Sequence, residues 1–184
     1  MQAAGLGTRM KSKIPEVLHG ICGKPMVVWV SEAIGAVAPD RTLVVLGDGV
    51  ETVHQVLPQF TEAVRQERQL GTGDAVRAAQ AALEGFEGDI MVMYGDTPLV
   101  TGEALAGLLE FHAAGQPACT LMTVDVDDPS HFGRVCRDAD RRVTHTGEHL
   151  HASELDERMV EVHGGASLSD APAEGEARPE VCRC

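Results

Sequence analysis

Residues 3–10 read Ala-Ala-Gly-Leu-Gly-Thr-Arg-Met, a glycine-rich loop with one cation, Arg9, near its end. Closely spaced glycines let backbone N–H groups turn towards one point and form an anion-binding nest. Arg9 adds a forked guanidinium, and two lysines follow it closely. The loop is not G-x-G-x-x-G, and it is not a Walker A loop, which needs Gly-Lys-Ser/Thr. It predicts a phosphate-binding turn, and a tight turn with solvated basic residues is the alternative.

Helical and strand patterns alternate after this loop. Apolar spacing predicts helices over 24–37, 50–58, 73–84 and 101–114, and β-branched or apolar runs predict strands over 42–46, near 64, over 89–94 and over 118–124, with a hairpin around 138–141. This alternation predicts an α/β fold, with a mostly parallel sheet and helices on both faces. Ligands of such sheets bind beyond the carboxyl ends of the strands. The glycine-rich loop and the corner Tyr94-Gly95-Asp96 both fall at such ends.

Composition limits the classes of partner. The 184 residues suit one domain, and the formal net charge of −13 repels nucleic acid and anionic lipid. A phosphate-bearing substrate therefore needs a local basic site. Five scattered cysteines form no disulfide framework, and no apolar run is long enough to cross a membrane, so we expect a cytoplasmic protein. Apolar residues thin out after about residue 150, which predicts a domain over 1–163 and a disordered tail over 164–184.

Two further segments are typical of nucleotide chemistry. Asp96 at the end of an apolar strand could hold a Mg²⁺ that bridges phosphates, or could only cap the turn before Thr97-Pro98. Residues 66–75, QERQLGTGDA, open a helix. A glutamine amide there could pair with a nucleobase edge, and an ordinary junction between loop and helix is the alternative.

Taken together, these segments resemble one family. The stretch AAGLGTRMKSKIPEVLHGICGKPMV resembles the signature loop of sugar nucleotidyltransferases. It is followed in order by QLGTGDAV, YGDTPL, DDPSHFGRVCRDADRRV and GEH. This order and spacing are similar to the uridyltransferase half of the bifunctional N-acetylglucosamine-1-phosphate uridyltransferase/glucosamine-1-phosphate acetyltransferase family, over about residues 2–163. The resemblance implies a Rossmann-like nucleotidyltransferase fold.

The resemblance also implies a reaction and a set of site residues. N-acetylglucosamine 1-phosphate would attack the α-phosphorus of UTP, with Mg²⁺ as cofactor, and would give UDP-N-acetylglucosamine, a cell-wall precursor, and pyrophosphate. Arg9 would be catalytic and would steady the triphosphate. Matched by position, the nucleotide would contact Ala3, Ala4, Gly5, Gln66, Gly71 and Thr72, the amino sugar would contact Gly95, Gly133 and Glu148, and Asp96 would hold the metal.

Glu16 is the sharpest departure from the family pattern. The family has Lys after Pro in the loop, where this chain has Pro15-Glu16-Val17, and that Lys contacts substrate phosphate. A unit charge pair at about 4 Å is worth about 4 kcal/mol at an effective dielectric constant of about 20. Exchanging an attraction for a repulsion is therefore expected to weaken activity, with Lys13 or Lys24 as the nearest replacement cations.

Further departures concern His163-Gly164-Gly165, which stands where the family has Asn-Thr-Gly, and the two ends of the chain. Met1-Gln2 stands in place of the family's first apolar strand, so that strand is expected to be missing. The family's second metal ligand and its acetyltransferase half, with the trimerisation it brings, are not expected in these 184 residues. Three interpretations stay open: a weakened uridyltransferase, a non-catalytic nucleotide- or sugar-phosphate-binding remnant or gene fragment, and a different sugar or molybdopterin-cofactor nucleotidyltransferase.

Overall fold

The computed structural model describes residues 1–5, 11–12, 14–47, 50–68, 71–115, 117–130, 132–147 and 160–170. The helices are α1 (Met26–Gly35), α2 (Val50–His54), α3 (Thr72–Gln80) and α4 (Gly102–Gly115). The strands are β1 (Gly20–Ile21), β2 (Lys24–Pro25), β3 (Leu43–Leu46), β4 (Glu62–Arg65), β5 (Asp89–Met93), β6 (Cys119–Asp125), β7 (Arg134–Arg137), β8 (Val143–Gly147) and β9 (Glu161–Asp170). The α/β prediction is confirmed, and the hairpin predicted around 138–141 joins β7 to β8.

The sheet is mixed rather than purely parallel. β3 and β4 pair in parallel, whereas β9 is antiparallel to β5 and to β6. Because β5 and β6 both run opposite to β9, they run in the same direction as each other. The first half of β9 also meets β7 at Arg134 and Val162, so β9 links most of this sheet.

Three residues occupy the position of the family's first strand, which the sequence predicts to be missing. Met1–Ala3 lies extended between β3 and β5, and Gln2 bridges Val45 and Tyr94 in parallel. On one side Ala3 N–H donates to Val45 O over 2.8 Å, and on the other Gln2 N–H donates to Met93 O over 2.7 Å. The α-ammonium of Met1 donates to Leu43 O, and burial lowers the pKa of this group to about 6. Residues 1–3 thus join β3 and β5 through the backbone alone.

Helices cover both faces of the sheet, as the sequence predicts. Alternate side chains of a strand point to opposite faces. Val44 and Leu46 pack in one buried cluster with Val27 of α1 and Val53 of α2, whereas Val45 packs in another with Ala75 and Ala79 of α3. A third cluster joins α1 and α4 to β5 and β9. Among the described residues, no helix combines the length and the apolar character needed to cross a membrane.

β9 corrects the predicted domain boundary. Residues 164–170 were expected to belong to a disordered tail, but they form the second half of β9, where Ala166 and Leu168 are buried. This half lies between β5 and β6, so its backbone is bonded on both sides. Residues 171–184, the rest of the predicted tail, lie outside the described residues.

An ion pair ties β9 to the β7–β8 hairpin. Arg137 of β7 makes two parallel hydrogen bonds to the carboxylate of Glu161, at 2.7 and 2.5 Å. The hydrogen bond from Arg137 is the main cause that lowers the pKa of Glu161 to about 2, and a hydrogen bond from Thr123 adds to it. Only 20% of the Glu161 side chain is exposed, so this pair is better shielded than an ordinary surface pair.

A close contact with Thr97 requires glycine at position 165. Its φ of +89° is rare for residues with side chains, and a β-carbon there would lie 2.6 Å from Thr97 Cγ2. Its carbonyl accepts the N–H of Tyr94, which follows β5 directly. Glycine is therefore required where β9 passes the end of β5.

We predict that Gly165→Ala destabilises the chain by about 2–4 kcal/mol in urea unfolding, because it combines backbone strain with overpacking. Gly85→Ala is the matched control, since Gly85 has a φ of +72° with open space around it. That variant should lose only about 1 kcal/mol. Equal losses in the two variants would contradict the contact with Thr97.

We also predict an acid-sensitive contribution from Glu161. Its folded-state pKa lies below the unfolded value of 4.5, so the stabilisation is complete above pH 4.5 and is lost as the pH falls towards 2. Partial exposure reduces its size to about 1 kcal/mol. Urea midpoints measured between pH 6 and 3 should fall less steeply in Glu161→Gln than in the parent chain, and parallel slopes would refute the pair's role.

Candidate functional site

The glycine-rich loop begins where residues 1–3 leave the sheet. Ala3 is buried, Ala4 is half-buried and Gly5 is exposed, so the chain emerges at the carboxyl edge of the strands. Gly95 packs against this exit, and a β-carbon there would lie 3.0 Å from Gln2 O and 3.2 Å from Val17 Cγ1. Gly95 N–H also donates to Gln2 O over 2.7 Å. Three chain segments therefore meet at Gly95 without room for a side chain.

Glu16 lies beside Gly5, at the start of the loop. It begins a single 3₁₀ turn, Glu16–Leu18, whose Val17 is buried. A methyl group added to Gly5 would lie 3.7 Å from Glu16 Oε2. The carboxylate therefore borders the segment predicted to bind phosphate.

Lys24, expected as a replacement cation, is paired on α1. Its ammonium bonds both carboxylate oxygens of Glu32, at 2.8 and 2.7 Å, and lies 3.8 Å from the ring centroid of Trp29. This pairing argues against the expectation that Lys24 offsets Glu16. Lys13, the other candidate, lies outside the described residues.

The predicted base-binding residues come together after β4. Gln66 is buried, and its amide nitrogen donates to Asp74 Oδ2 over 2.9 Å and to Gly71 O over 3.3 Å. Gly71, with a φ of +114°, precedes the first turn of α3 and has open space around it. Gln2 Nε2 donates to Thr72 O and ties this corner to residues 1–3. The amide of Gln66 thus holds the corner, while Gly71 leaves room for a planar group.

Asp96 follows β5 at the same edge of the sheet, in a turn that is closed by the side chain of Thr97. The hydroxyl of Thr97 donates to Tyr94 O over 2.7 Å and closes the turn, while the carboxylate of Asp96 is exposed. An exposed carboxylate at a strand end suits Mg²⁺, which commonly takes one or two carboxylates together with substrate phosphates and water. Among the residues that can be described, no group of three or more possible metal ligands occurs. Asp96 could therefore hold a divalent metal together with oxygen atoms of a bound substrate.

Gly133, one of the predicted sugar-binding residues, lies on the side of β5 that pairs with β9. Gly133 O accepts the N–H of His163 over 2.9 Å, and the rings of His163 and Tyr94 lie 5.6 Å apart, tilted by 37°. The Nδ1 atom of His163 accepts the N–H of Gly165 over 3.0 Å. Gly133 and Gly95 are thus joined through His163 and Tyr94.

Two predicted site residues, Arg9 and Glu148, lie outside the described residues. The sequence did not single out Thr97, which closes the Asp96 turn, or Arg134, which is 3% exposed. The signal for Thr97 was its position directly after the Asp. Arg134 carried no such signal, because a charged residue in a hairpin is normally solvated.

Comparison with known proteins gives a family for this arrangement. Residues 2–161 match the model of the MobA-like NTP transferase domain. The bifunctional protein GlmU of Streptococcus gordonii is 41% identical over 168 residues, which are 91% of this chain and 37% of that protein. The GlmU protein of Exiguobacterium sp. is 44% identical over the same shares. The chain therefore spans little more than a third of these curated relatives.

Solved structures give the same fold at low identity. UDP-glucose pyrophosphorylase complexed with UDP-glucose superposes with a TM-score of 0.73 at 17% identity, over 91% of this chain and 74% of that one. HddC from Yersinia pseudotuberculosis complexed with GMP-PN reaches 0.71 at 21% identity, over 92% and 75%. At such identities the likeness concerns the fold alone. Because the domain model covers nearly the whole described chain, this protein belongs to the family of MobA-like NTP transferase domains.

Proposed function

We propose that this chain is a uridyltransferase domain that transfers a uridylyl group from UTP to N-acetylglucosamine 1-phosphate. The proposal is supported most by the 41–44% identity to the bifunctional relatives over 168 residues, which are 91% of this chain. A different sugar or molybdopterin-cofactor nucleotidyltransferase is less well supported, because the motifs after the loop follow the uridyltransferase order. A cytoplasmic location, where UTP is made, belongs to the same proposal.

The reaction is a single displacement. A phosphate oxygen of the sugar phosphate forms a bond to the α-phosphorus of UTP, the bond to the β-phosphate oxygen breaks, and pyrophosphate leaves. Such a transfer depends on positioning and charge neutralisation more than on covalent help from the protein. An enzyme for this reaction therefore needs a nucleotide-binding site and a cation near the phosphates. It also needs a sugar-binding site that holds the attacking oxygen in line with the leaving group.

We assign each part of the cradle to residues at the strand ends. Ala3, Ala4 and Gly5 border the phosphates through their backbone, and Arg9 is assigned to the leaving pyrophosphate. The corner formed by Gln66, Gly71 and Thr72 takes the base and ribose, since Gly71 leaves open space there. Gly95, Gly133 and Glu148 are assigned to the amino sugar.

Asp96 is assigned to Mg²⁺, and its exposed carboxylate beside the loop supports this. When bound, the metal would supply positive charge that neutralises the phosphates and the leaving group. The chain's own contribution is to hold the carboxylate at the strand end, where the Thr97 hydroxyl fixes the turn. In a protein with net charge −13, this local neutralisation is essential for binding a polyphosphate.

A second function, nucleotide or sugar-phosphate binding without turnover, is favoured by one observation. Glu16 places a negative charge next to Gly5, where the family has a cation. A ground-state complex can tolerate this charge when Mg²⁺ is present, but a transition state that gathers charge on the phosphates tolerates it less.

We predict weak UTP binding that depends on Mg²⁺, with a Kd of about 1 mM, or about −4 kcal/mol. Isothermal titration calorimetry of the 184-residue chain would measure it. Asp96→Asn should lose most of the gain from Mg²⁺, because an amide is a poorer ligand for this ion, and should not weaken binding without metal, because it removes a negative charge near the phosphates. No heat from UTP at millimolar concentration would refute the proposed function.

We predict that Glu16→Lys raises UTP affinity and any pyrophosphate release from UTP and N-acetylglucosamine 1-phosphate by roughly 10–100-fold, since it replaces a repulsion with an attraction. Glu16→Gln removes only the repulsion and should give an intermediate rate. Glu87→Lys is the control, because Glu87 is exposed just before β5, at the opposite edge of the sheet. If Glu87→Lys has the same effect, net charge rather than position is responsible.

A further inference from the structure

A buried arginine holds the loop that precedes Gly133. Arg134 is only 3% exposed, and its Nη1 donates to the carbonyl oxygens of Pro129 and Phe132, the latter over 2.6 Å. The loop is closed further by the N–H of Phe132, which donates to Pro129 O over 3.1 Å, and by Asp128, which accepts the N–H of Ser130 over 3.0 Å. The guanidinium thus has the loop's own backbone folded around it.

Burial of a guanidinium is costly, and it is tolerated only when hydrogen bonds replace water. Arginine stays charged when buried. Here Nη1 alone donates to both carbonyl oxygens, and the buried Nε has no hydrogen-bond partner among the described residues. An apolar side chain of similar length could fill the same space without this cost. The two carbonyl bonds are the feature that an apolar residue cannot reproduce, and they set the shape of the loop.

The loop ends at Gly133, which is held from its other side by β9. Gly133 O accepts the N–H of His163 over 2.9 Å, and Arg134 itself pairs with Val162. The ring of His163 lies 5.6 Å from that of Tyr94, the residue before Gly95. The peptide of Gly133 therefore has a defined position relative to the end of β5, with Arg134 on one side and His163 on the other.

We propose that Arg134 is a positioning residue for the sugar moiety of a nucleotide sugar, acting through the main chain of Gly133. This inference rests on the proposed function, in which Gly133 borders the amino sugar. Arg134 does not contact the ligand. It keeps the Gly133 peptide in one orientation, so that the ordering of the loop is complete before the sugar binds.

The test compares two ligands and two arginine variants by calorimetry with Mg²⁺. UDP-N-acetylglucosamine reports the nucleotide and sugar parts together, and UTP reports the nucleotide part alone. Arg134→Met should lower the affinity for UDP-N-acetylglucosamine at least tenfold and change the affinity for UTP less than twofold. Arg137→Met is the matched control, because Arg137 lies on the same strand but bonds Glu161 and Arg141 rather than the loop. It should leave the ratio of the two affinities unchanged.

A ratio that stays the same in Arg134→Met, or that shifts equally in Arg137→Met, overturns the inference. Amide hydrogen exchange separates this outcome from failure of the proposed function, because it needs no ligand. Exchange at Phe132 should accelerate at least tenfold in Arg134→Met, which loses both bonds to the loop carbonyls, and should stay unchanged in Arg137→Met. Unchanged exchange at Phe132 would show that Arg134 does not hold the loop. A parent chain that binds neither ligand would instead refute the proposed function.

Discussion

The backbone at the end of β5 is bonded on both sides, and the candidate site depends on this constraint. Tyr94 N–H donates to Gly165 O of β9, and Gly95 N–H donates to Gln2 O. Neither glycine has room for a β-carbon, because Gly165 touches Thr97 and Gly95 touches Gln2 and Val17. These contacts bring the glycine-rich loop, the Asp96 turn and the Gly133 loop to one edge of the sheet. The segments proposed to bind the nucleotide and the sugar therefore share a single structural support.

Electrostatics sets the second constraint. A chain with net charge −13 binds a polyphosphate only if local donors and cations overcome the general repulsion. The described residues include the backbone N–H groups of Ala4 and Gly5 and the exposed Asp96, but they also place Glu16 beside Gly5. Lys24 is already paired with Glu32. The basic residues nearest to the loop in sequence are Arg9, Lys11 and Lys13.

Most helices and strands could be predicted from the sequence, because their apolar periodicity or β-branched runs are local signals. β9 could not, since Glu161–Asp170 contains Gly-Gly and three polar residues in its second half and becomes a strand only by pairing with β5 and β6. Gly95 and Asp96 lie at the carboxyl edge of the strands, as their position directly after an apolar strand predicts. It could not reveal Arg134, whose burial is caused by carbonyl groups of a loop that folds back over it.

Two of the departures from the family pattern keep a backbone role in the fold. Glu16 contributes its carbonyl, which accepts the N–H of His19, and His163 contributes its N–H, which donates to Gly133 O. Any residue except proline can supply the N–H, and any residue at all can supply the carbonyl. The side chain of His163 takes part as well, because its Nδ1 accepts the N–H of Gly165 and its ring lies beside that of Tyr94. A change at Glu16 is therefore expected to alter the charge beside Gly5 and to leave the fold intact, whereas a change at His163 also alters the support of Gly165.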